Sequence, residues 1–306
     1  MSFSSRVKQE LTEKENEARH CNIAELSAIL SCCGYFFKIC GTIVLKIQSD
    51  NIFSCKKAER LIQKLFNITP PVSVSNKGGY TMFIGSESEA RRILSASGLY
   101  SEYNGLALIN KNIPPLIVSG SCCKRAYLRG AFVAAGSISN PEKTYHAEFI
   151  IESETIIAQL VTIINSFSLK LFLRNGSKVI YLKDSEQITD LLNVMEAHQS
   201  LLELANIRVV KDVRNDINRR VNFEAANLNK TISASLKQLD DIRYIKAQKG
   251  LSYLNDCLFE AAHLRLSHPD LSLKEIGEML NPPVSKSGAN HRFRKINEIA
   301  ELIKNE

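Results

Sequence analysis

Cysteine is the residue type in this sequence that most invites metal or redox chemistry. Eight cysteines occur in the 306 residues, at Cys21, Cys32, Cys33, Cys40, Cys55, Cys122, Cys123 and Cys257. Zinc sites and redox pairs usually show two cysteines separated by two residues, or a histidine at finger spacing, and this chain has neither. We therefore expect free, buried thiols, because cysteine packs as a small hydrophobic side chain in a reducing compartment. We expect no metal and no cofactor.

A second group of side chains has the chemistry to read nucleic acid. Residues 284–296 contain four basic side chains and no acidic one. In a major groove, Asn suits the edge of adenine, and Arg or Lys suits guanine. The candidate DNA-binding residues are Lys286, Ser287, Asn290, His291, Arg292, Arg294 and Lys295. Arg292 and Lys295 lie at the flanks, where contacts to phosphate fix the register of a complex without reading its sequence.

Two helices across a tight turn would position these residues. Ser272 and Glu275 form the S-x-x-E pattern of a capping box, just before an apolar-periodic segment over 273–280. The Asn-Pro-Pro sequence at 281–283 ends that segment, because proline has no amide hydrogen and restrains the residue before it. Together with a second, basic helix, this order is typical of a helix-turn-helix.

The second helix is predicted over 285–303, with Ser285 as its N-cap. Apolar residues recur along it at steps of three and four, which predicts a buried face made of Ala289, Phe293, Ile296, Ala300 and Ile303. The basic residues fall on the opposite face. The alternative is a solvated basic helix in a bundle without a nucleic-acid partner.

An internal repeat organises the first two thirds of the chain. The segment at 21–34 aligns with the segment at 123–136 at a constant offset of 102 residues, pairing Cys21 with Cys123 and Gly34 with Gly136. In each copy the pattern predicts a helix, strands, a second helix, a hairpin and a third helix, with the hairpin turns at 76–79 and 175–177.

Small residues recur every fourth position in the two repeated helices, as Ala24, Ala28 and Cys32 and as Ala126, Gly130 and Ala134. Such a stripe lets two helices approach closely, and Gly130 predicts a contact too tight for a methyl group. The alternative is two unrelated buried helices.

The string YLRGAFVAAGSI at 127–138 resembles the signature helix of LAGLIDADG homing endonucleases. The resemblance implies two pseudo-symmetric αββαββα halves and, in active members, an acidic residue before the terminal glycine that binds a catalytic divalent metal. Here Cys33 and Ala135 occupy those positions. Neither a thiol nor a methyl group is the hard oxygen ligand that magnesium needs. We therefore expect a degenerate nuclease domain that does not cleave DNA.

The whole chain resembles the WhiA regulators of Gram-positive bacteria. Besides the string at 127–138, the resemblance rests on NFEAANLNKT at 222–231, QLDDIRYI at 238–245, SLKEIGEMLNPPVSKSG at 272–288 and NHRFRKINEIA at 290–300. It implies a degenerate LAGLIDADG-like domain joined to a helix-turn-helix. It also implies a DNA-binding transcription regulator tied to sporulation, or to cell division and chromosome segregation.

These observations predict an α+β protein with two domains. The first, 1–210, is a pseudo-twofold LAGLIDADG-like αββαββα repeat with halves at about 1–105 and 106–210. The second, 211–306, is an all-α DNA-binding module with its helix-turn-helix at 272–304. The stretch at 211–220 is a connector or a helix start.

Composition and charge agree with a globular DNA-binding protein. Hydrophobic residues are 44% and charged residues 23% of the chain, which excludes a disordered protein. No apolar run approaches the roughly 18 residues of a membrane span, and the charged N-terminus does not resemble a signal peptide. We expect a cytoplasmic, nucleoid-associated protein without membrane contact. The net charge of +7 divides into 22 basic and 19 acidic side chains over 1–206, and 17 and 13 over 207–306.

The predicted function is that of a non-enzymatic, sequence-specific DNA-binding regulator. Its partner would be double-stranded DNA, together with other transcription or cell-division proteins. Two alternatives from other classes stay open at this point: a metal-dependent DNA endonuclease, which the missing acids disfavour, and a scaffold whose sheet domain binds a protein or a small ligand.

Overall fold

A computed structural model describes residues 1–39, 42–74, 78–103, 106–110, 112–174 and 178–305 of the chain. The chain forms two compact units, Met1–Lys211 and Asp212–Glu306. Within the described ranges, no helix is both long and apolar enough to cross a membrane.

The first unit consists of a leading helix followed by two copies of one succession of elements. The leading helix is α1 (Phe3–Glu13). The first copy comprises α2 (Arg19–Cys33), β1 (Gly34–Ile39), β2 (Thr42–Ser49), α3 (Ile52–Phe66), β3 (Val72–Val74), β4 (Tyr80–Ile84) and α4 (Glu87–Ala96). A separate two-stranded hairpin follows, made of β5 (Tyr100–Tyr103) and β6 (Leu106–Ile109). The second copy comprises α5 (Ser121–Ala135), β7 (Gly136–Ile138), β8 (Ala147–Ile150), α6 (Glu154–Asn165), β9 (Phe172–Leu173), β10 (Val179–Leu182) and α7 (Ser185–Val194).

The two copies share one sheet topology. The strand order is β1-β2-β4-β3 in the first sheet and β7-β8-β10-β9 in the second, and all neighbouring strands are antiparallel. The predicted αββαββα repeat is therefore confirmed. Of the predicted hairpin turns, 76–77 and 175–177 lie outside the described residues. Gly78 and Gly79 adopt φ of +83° and +85°, a backbone conformation that favours glycine.

Alternation of buried and exposed side chains gives each sheet an inner and an outer face. In β2, Leu45 and Ile47 are fully buried, whereas Lys46 between them is only partly covered. In β8, Phe149 is fully buried and the next residue, Ile150, is exposed. Because successive residues of a strand point to opposite faces, one face of each sheet packs on the helices and the other faces solvent.

The helices α2 and α5 pack against each other at the centre of the first unit. A Cβ atom placed on Gly130 of α5 would lie 2.3 Å from the carbonyl oxygen of Glu25 and 2.9 Å from the Cβ atom of Ala28, both in α2. Real Cβ atoms do not approach other heavy atoms closer than 3.0 Å. The prediction that Gly130 marks a contact too tight for a methyl group is confirmed.

A buried group of charged residues lies beside this contact. Glu25 of α2 is fully buried, and its Oε1 atom lies 3.2 Å from Lys57 Nζ of α3 and 3.7 Å from Arg129 Nε of α5. Asn16 Nδ2 donates a hydrogen bond of 2.6 Å to the other carboxylate oxygen. Glu196 pairs with the guanidinium of Arg129 at 3.1 Å. The only acid on the first repeated helix therefore links three helices instead of facing an open site.

A long helix, α8 (His198–Gln248), spans 51 residues and contributes its later part to the second unit. The boundary between the two units falls within it. The stretch at 211–220, read from sequence as a connector or a helix start, is helical throughout. No glycine or proline occurs between 198 and 248, so no helix-breaking residue interrupts it. Gly250, with φ of +79°, follows its end.

Three further helices complete the second unit: α9 (Asp256–Ser267), α10 (Leu273–Met279) and α11 (Lys286–Lys304). Their apolar faces and the end of α8 form one core. Its fully or nearly fully buried members include Ile242, Ile245, Leu258, Ile276, Phe293 and Ile296. The predicted all-α module is confirmed.

Candidate nucleic-acid interface

The start of α10 is capped as the sequence predicts. Ser272 Oγ accepts a hydrogen bond from the Glu275 amide at 3.4 Å, and Glu275 Oε2 accepts one from the Ser272 amide at 2.8 Å. These bonds satisfy two amides that a helix start leaves unpaired. The hydroxyl and the amide of Ser272 lower the pKa of Glu275, because hydrogen bonds to the carboxylate favour its ionised form. The capping box is confirmed.

A tight turn joins α10 to α11. The Val284 amide donates a hydrogen bond of 2.8 Å to the carbonyl oxygen of Gly277. A Cβ atom on Gly277 would lie 2.5 Å from the carbonyl oxygen of Val284. The turn is therefore closed at a separation that only glycine allows, which fixes the angle at which α11 leaves it.

The helix α11 has the two faces that the apolar spacing predicts. Ser285 caps its start, since Ser285 Oγ accepts a hydrogen bond from the Gly288 amide at 3.3 Å. The buried residues of α11 are Ala289, Phe293, Ile296, Ala300 and Ile303. This is the complete set predicted from sequence, so the inward face of the helix is confirmed.

Six of the seven candidate DNA-binding residues are exposed. They are Lys286, Ser287, Asn290, His291, Arg294 and Lys295. Arg294 Nε contacts Glu298 Oε1 at 3.2 Å, but the Arg294 side chain is 76% exposed. Exposed i,i+4 pairs of this kind contribute only about 0.3–0.5 kcal/mol, so Arg294 can leave Glu298 for a stronger anionic partner.

Arg292 differs from the other six because its side chain is largely covered. Its side chain is only 13% exposed. Its Nη1 atom donates to the carbonyl oxygen of Cys257 at 3.1 Å and contacts Glu260 Oε2 at 3.5 Å. Arg292 lies between the buried Ala289 and Ile296, which are three residues before and four residues after it, so it lies at the edge of the buried face of α11. Through these contacts Arg292 joins α11 to α9.

Two residues that the sequence analysis did not assign to the site hold α11 in place. Arg265 of α9 is 1% exposed, donates to the Leu271 carbonyl at 2.6 Å, and lies 5.2 Å above the ring of Phe293. Asp241 of α8 accepts a hydrogen bond of 2.7 Å from Asn297 Nδ2. Burial lowers the pKa of Arg265. Arg265 continues the three- and four-residue spacing of the buried residues Leu258, Ala261 and Ala262, which is the sequence signal for a buried arginine.

A shallow groove runs beside the start of α11. It has a volume of about 230 Å³, and Lys230 of α8 and Lys286 of α11 both line it. Lys230 is not among the seven DNA-binding residues predicted from the sequence. Lys230 is exposed and adds a cation beside the start of α11.

The two degenerate nuclease positions lie at the ends of α2 and α5. Cys33 is buried, and its Sγ atom lies 3.9 Å from the carbonyl oxygen of Ala134. Burial raises the pKa of the Cys33 thiol to about 11, so the thiol stays protonated at neutral pH. Ala135 is partly buried. Neither residue offers the oxygen ligand that a hydrolytic magnesium ion requires.

The outer face of the second sheet carries stacked aromatic rings among mixed charges. The Tyr181 ring stacks on Phe172 and His146 at centroid distances of 5.7 and 5.5 Å. Lys183 Nζ lies 5.1 Å from the same ring, and His146 Nε2 contacts Glu148 Oε2 at 3.1 Å. Cation and carboxylate thus lie side by side, so this face has no single sign of charge.

Four potential metal ligands meet at the starts of α2 and α5. The His–Cys cluster consists of His20, Cys21, Cys122 and Cys123, whose donor atoms all lie within 4.8 Å of one another. Burial and the neighbouring thiols raise the pKa of Cys21 to about 12. Cys122 is exposed, as is Cys257, so the expectation that the thiols are buried is wrong for these two.

Both units match models of known protein families. Residues 19–82 match a model of the WhiA N-terminal LAGLIDADG-like domain, 124–214 the WhiA LAGLIDADG-like domain, and 217–300 the WhiA C-terminal HTH domain. A protein of Lachnoclostridium phytofermentans named "Probable cell division protein WhiA" is 44% identical, over 99% of this chain and 100% of that protein. The chain belongs to the WhiA family. A WhiA protein of Clostridium beijerinckii with the same name is also 44% identical, over 99% of each chain.

A solved structure shows the same architecture. The crystal structure of full-length DUF199/WhiA from Thermatoga maritima matches with a TM-score of 0.59 at 25% identity, over 99% of each chain. The predicted combination of a LAGLIDADG-like domain with a helix-turn-helix is therefore confirmed for this WhiA chain.

Proposed function

We propose that this chain is a non-enzymatic, sequence-specific DNA-binding protein that regulates transcription through α11. The division of α11 into a buried apolar face and an exposed polar, cationic face carries the proposal. In helix-turn-helix proteins the first turns of the second helix enter the major groove. Asn290 and Arg294 are four residues apart, about 6 Å along the helix axis at 1.5 Å per residue. Base pairs of B-DNA are about 3.4 Å apart, so the two side chains face base pairs about two steps apart, Asn290 towards adenine and Arg294 towards guanine.

The base-reading set comprises Lys286, Ser287, Asn290, His291 and Arg294, all on the exposed face. Lys295 and Lys230 supply contacts to phosphate, which fix the register of the helix in the groove. Arg292 is left out of this set because it is paired with Glu260.

The names of two relatives support a proposal for the cellular setting. Two relatives with 44% identity carry the name of a cell division protein. We propose that this chain acts at the nucleoid in the cytoplasm, in the control of cell division, chromosome segregation or sporulation, together with other transcription or cell-division proteins.

Selection of duplexes from a random DNA pool tests sequence-specific binding. We expect the full-length chain to enrich one motif, and Asn290→Ala to lose the preference at one base position of that motif, at a cost of about 1–3 kcal/mol. Asn305→Ala is the matched control, because Asn305 lies 15 residues further along, about 22 Å away at 1.5 Å per residue. Recovery of an unenriched pool with the wild-type chain would refute the proposal.

The non-enzymatic part of the proposal has its own test. Cys33 and Ala135 offer no carboxylate at the ends of the paired helices. Incubation of the full-length chain with supercoiled plasmid and Mg²⁺ should leave the plasmid intact. Linear or nicked product that disappears on chelation of Mg²⁺ would show that the LAGLIDADG-like domain is an active endonuclease.

A further inference from the structure

The His–Cys cluster joins the two halves of the first unit. His20 and Cys21 are the second and third residues of α2, and Cys122 and Cys123 hold the same places in α5. The offset of 102 residues that relates the halves thus relates the two ligand pairs. The cluster lies at the starts of the helices, whereas Cys33 lies twelve residues further along α2, about 18 Å away at 1.5 Å per residue. It is therefore separate from the degenerate nuclease positions.

The spacing of the donor atoms fits a single tetrahedral metal ion. His20 Nδ1 lies 3.2 Å from Cys123 Sγ and 3.3 Å from Cys21 Sγ. All four donor atoms lie within 4.8 Å of one another. Tetrahedral zinc with bonds of about 2.3 Å to sulfur and 2.0–2.1 Å to nitrogen places its ligand atoms about 3.6–3.8 Å apart. The observed separations of 3.2 and 3.3 Å and the upper limit of 4.8 Å lie on either side of these values.

The donor set selects zinc among the common biological metals. Three thiolates and one imidazole are soft and borderline ligands, which bind Zn²⁺ in structural sites and do not suit Mg²⁺ or Ca²⁺. The site also supplies all four ligands from the protein, which is typical of a structural zinc centre and not of a catalytic one.

The starts of α2 and α5 favour the charge of such a site. Three thiolates and a neutral imidazole around Zn²⁺ have a net charge of −1. Helix N-termini stabilise negative charge, because their first amides are unpaired and the helix dipole is positive there. Neither α2 nor α5 has a side-chain hydrogen bond at its N-cap. The Cys21 amide donates to the carbonyl oxygen of Ala18, whereas no N-cap side chain competes with the thiolates for the other first-turn amides of the two helices.

Exposure distinguishes the cluster from ordinary core packing. Cys21 and Cys123 are 7% and 6% exposed, but Cys122 and His20 are exposed. Side chains that only filled the core would be covered, whereas a metal site needs an entry path. We propose that the His–Cys cluster binds one Zn²⁺ ion, which ties α2 to α5 at the starts of the two helices.

Zinc content and cobalt spectra of the full-length chain test the proposal. We expect one Zn²⁺ per chain after purification under reducing conditions, measured by mass spectrometry of the metal. Replacement of zinc by Co²⁺ should give the sulfur-to-cobalt charge-transfer band and the visible bands of a tetrahedral thiolate site. Cys122→Ser should weaken zinc binding at least about tenfold in competition with a chelator, since even loss of an outer partner of a ligand costs 10–100-fold.

Matched variants keep the test decisive. Cys257→Ser removes an exposed thiol in the other unit and should leave zinc content and cobalt spectrum unchanged. Circular dichroism establishes that Cys122→Ser is folded, and its exposed side chain can change without disturbing the core. His20→Ala should weaken binding in the same way. A wild-type chain that binds no zinc, or zinc binding that both Cys122→Ser and His20→Ala retain, would overturn the proposal.

Discussion

Replacement of Gly130 by alanine tests the contact on which the first unit is built. The added Cβ atom would lie 2.3 Å from the Glu25 carbonyl oxygen, whereas ordinary contacts begin at 3.4 Å. The helices α2 and α5 must therefore separate by about 1 Å. Overpacking of this kind costs up to about 3 kcal/mol, and the better helix propensity of alanine returns about 1 kcal/mol. The expected net loss of about 2 kcal/mol lowers Tm by about 4–8 °C in a unit of this size.

Thermal unfolding followed by circular dichroism measures this loss, with two control variants. Gly85→Ala, where no atom lies within 4 Å of the added methyl group, should be neutral or stabilising by about 0.4–1 kcal/mol. Adding Ala28→Gly to Gly130→Ala should not restore stability, because the closest contact is with a backbone oxygen that no side-chain change removes. An unchanged or raised Tm for Gly130→Ala would refute the close approach of the two helices.

Two further substitutions test the interior of each unit. Glu25→Ala leaves Lys57 and Arg129 without their buried partner. Urea unfolding should show a loss of about 3–5 kcal/mol in the free energy of unfolding. A loss below about 1 kcal/mol would mean that the two ion pairs contribute little to stability. Gly277→Ala places a Cβ atom 2.5 Å from the Val284 carbonyl oxygen. The variant should lose about 1–3 kcal/mol of stability. It should also shift α11 and therefore weaken DNA binding, which fluorescence anisotropy measures. Wild-type affinity in that variant would show that the turn tolerates a side chain.

Local patterns predicted the repeat and the faces of α11. The offset of 102 residues identified α2 and α5, because two copies of one sequence pattern fold to one succession of elements. The three- and four-residue steps from Ala289 to Ile303 gave the buried face of α11, since helical periodicity alone decides which side is apolar. The capping box at Ser272 likewise depends only on neighbouring residues.

Tertiary contacts decided what local patterns could not. The sequence predicts that Arg292 contacts phosphate. In the structure Arg292 pairs with Glu260, which is 32 residues away in sequence and belongs to another helix. The His–Cys cluster was missed for the same reason. Each helix supplies only two adjacent ligands, so no single segment shows the spacing of a zinc site, and the pairs meet only when α2 packs on α5.

The salt dependence of DNA affinity tests most directly whether α11 binds DNA. Each phosphate contact contributes a slope of about −0.9 to log K against log salt concentration. We predict that Lys295→Ala in the full-length chain reduces the slope by about one unit on every duplex. Lys237→Ala, an exposed lysine of α8 close to Glu301 near the far end of α11, should leave the slope unchanged. Two results together would contradict the central claim, provided that the wild-type chain binds DNA. The first is an unchanged slope for Lys295→Ala, and the second is wild-type affinity for the separate variant Asn290→Ala.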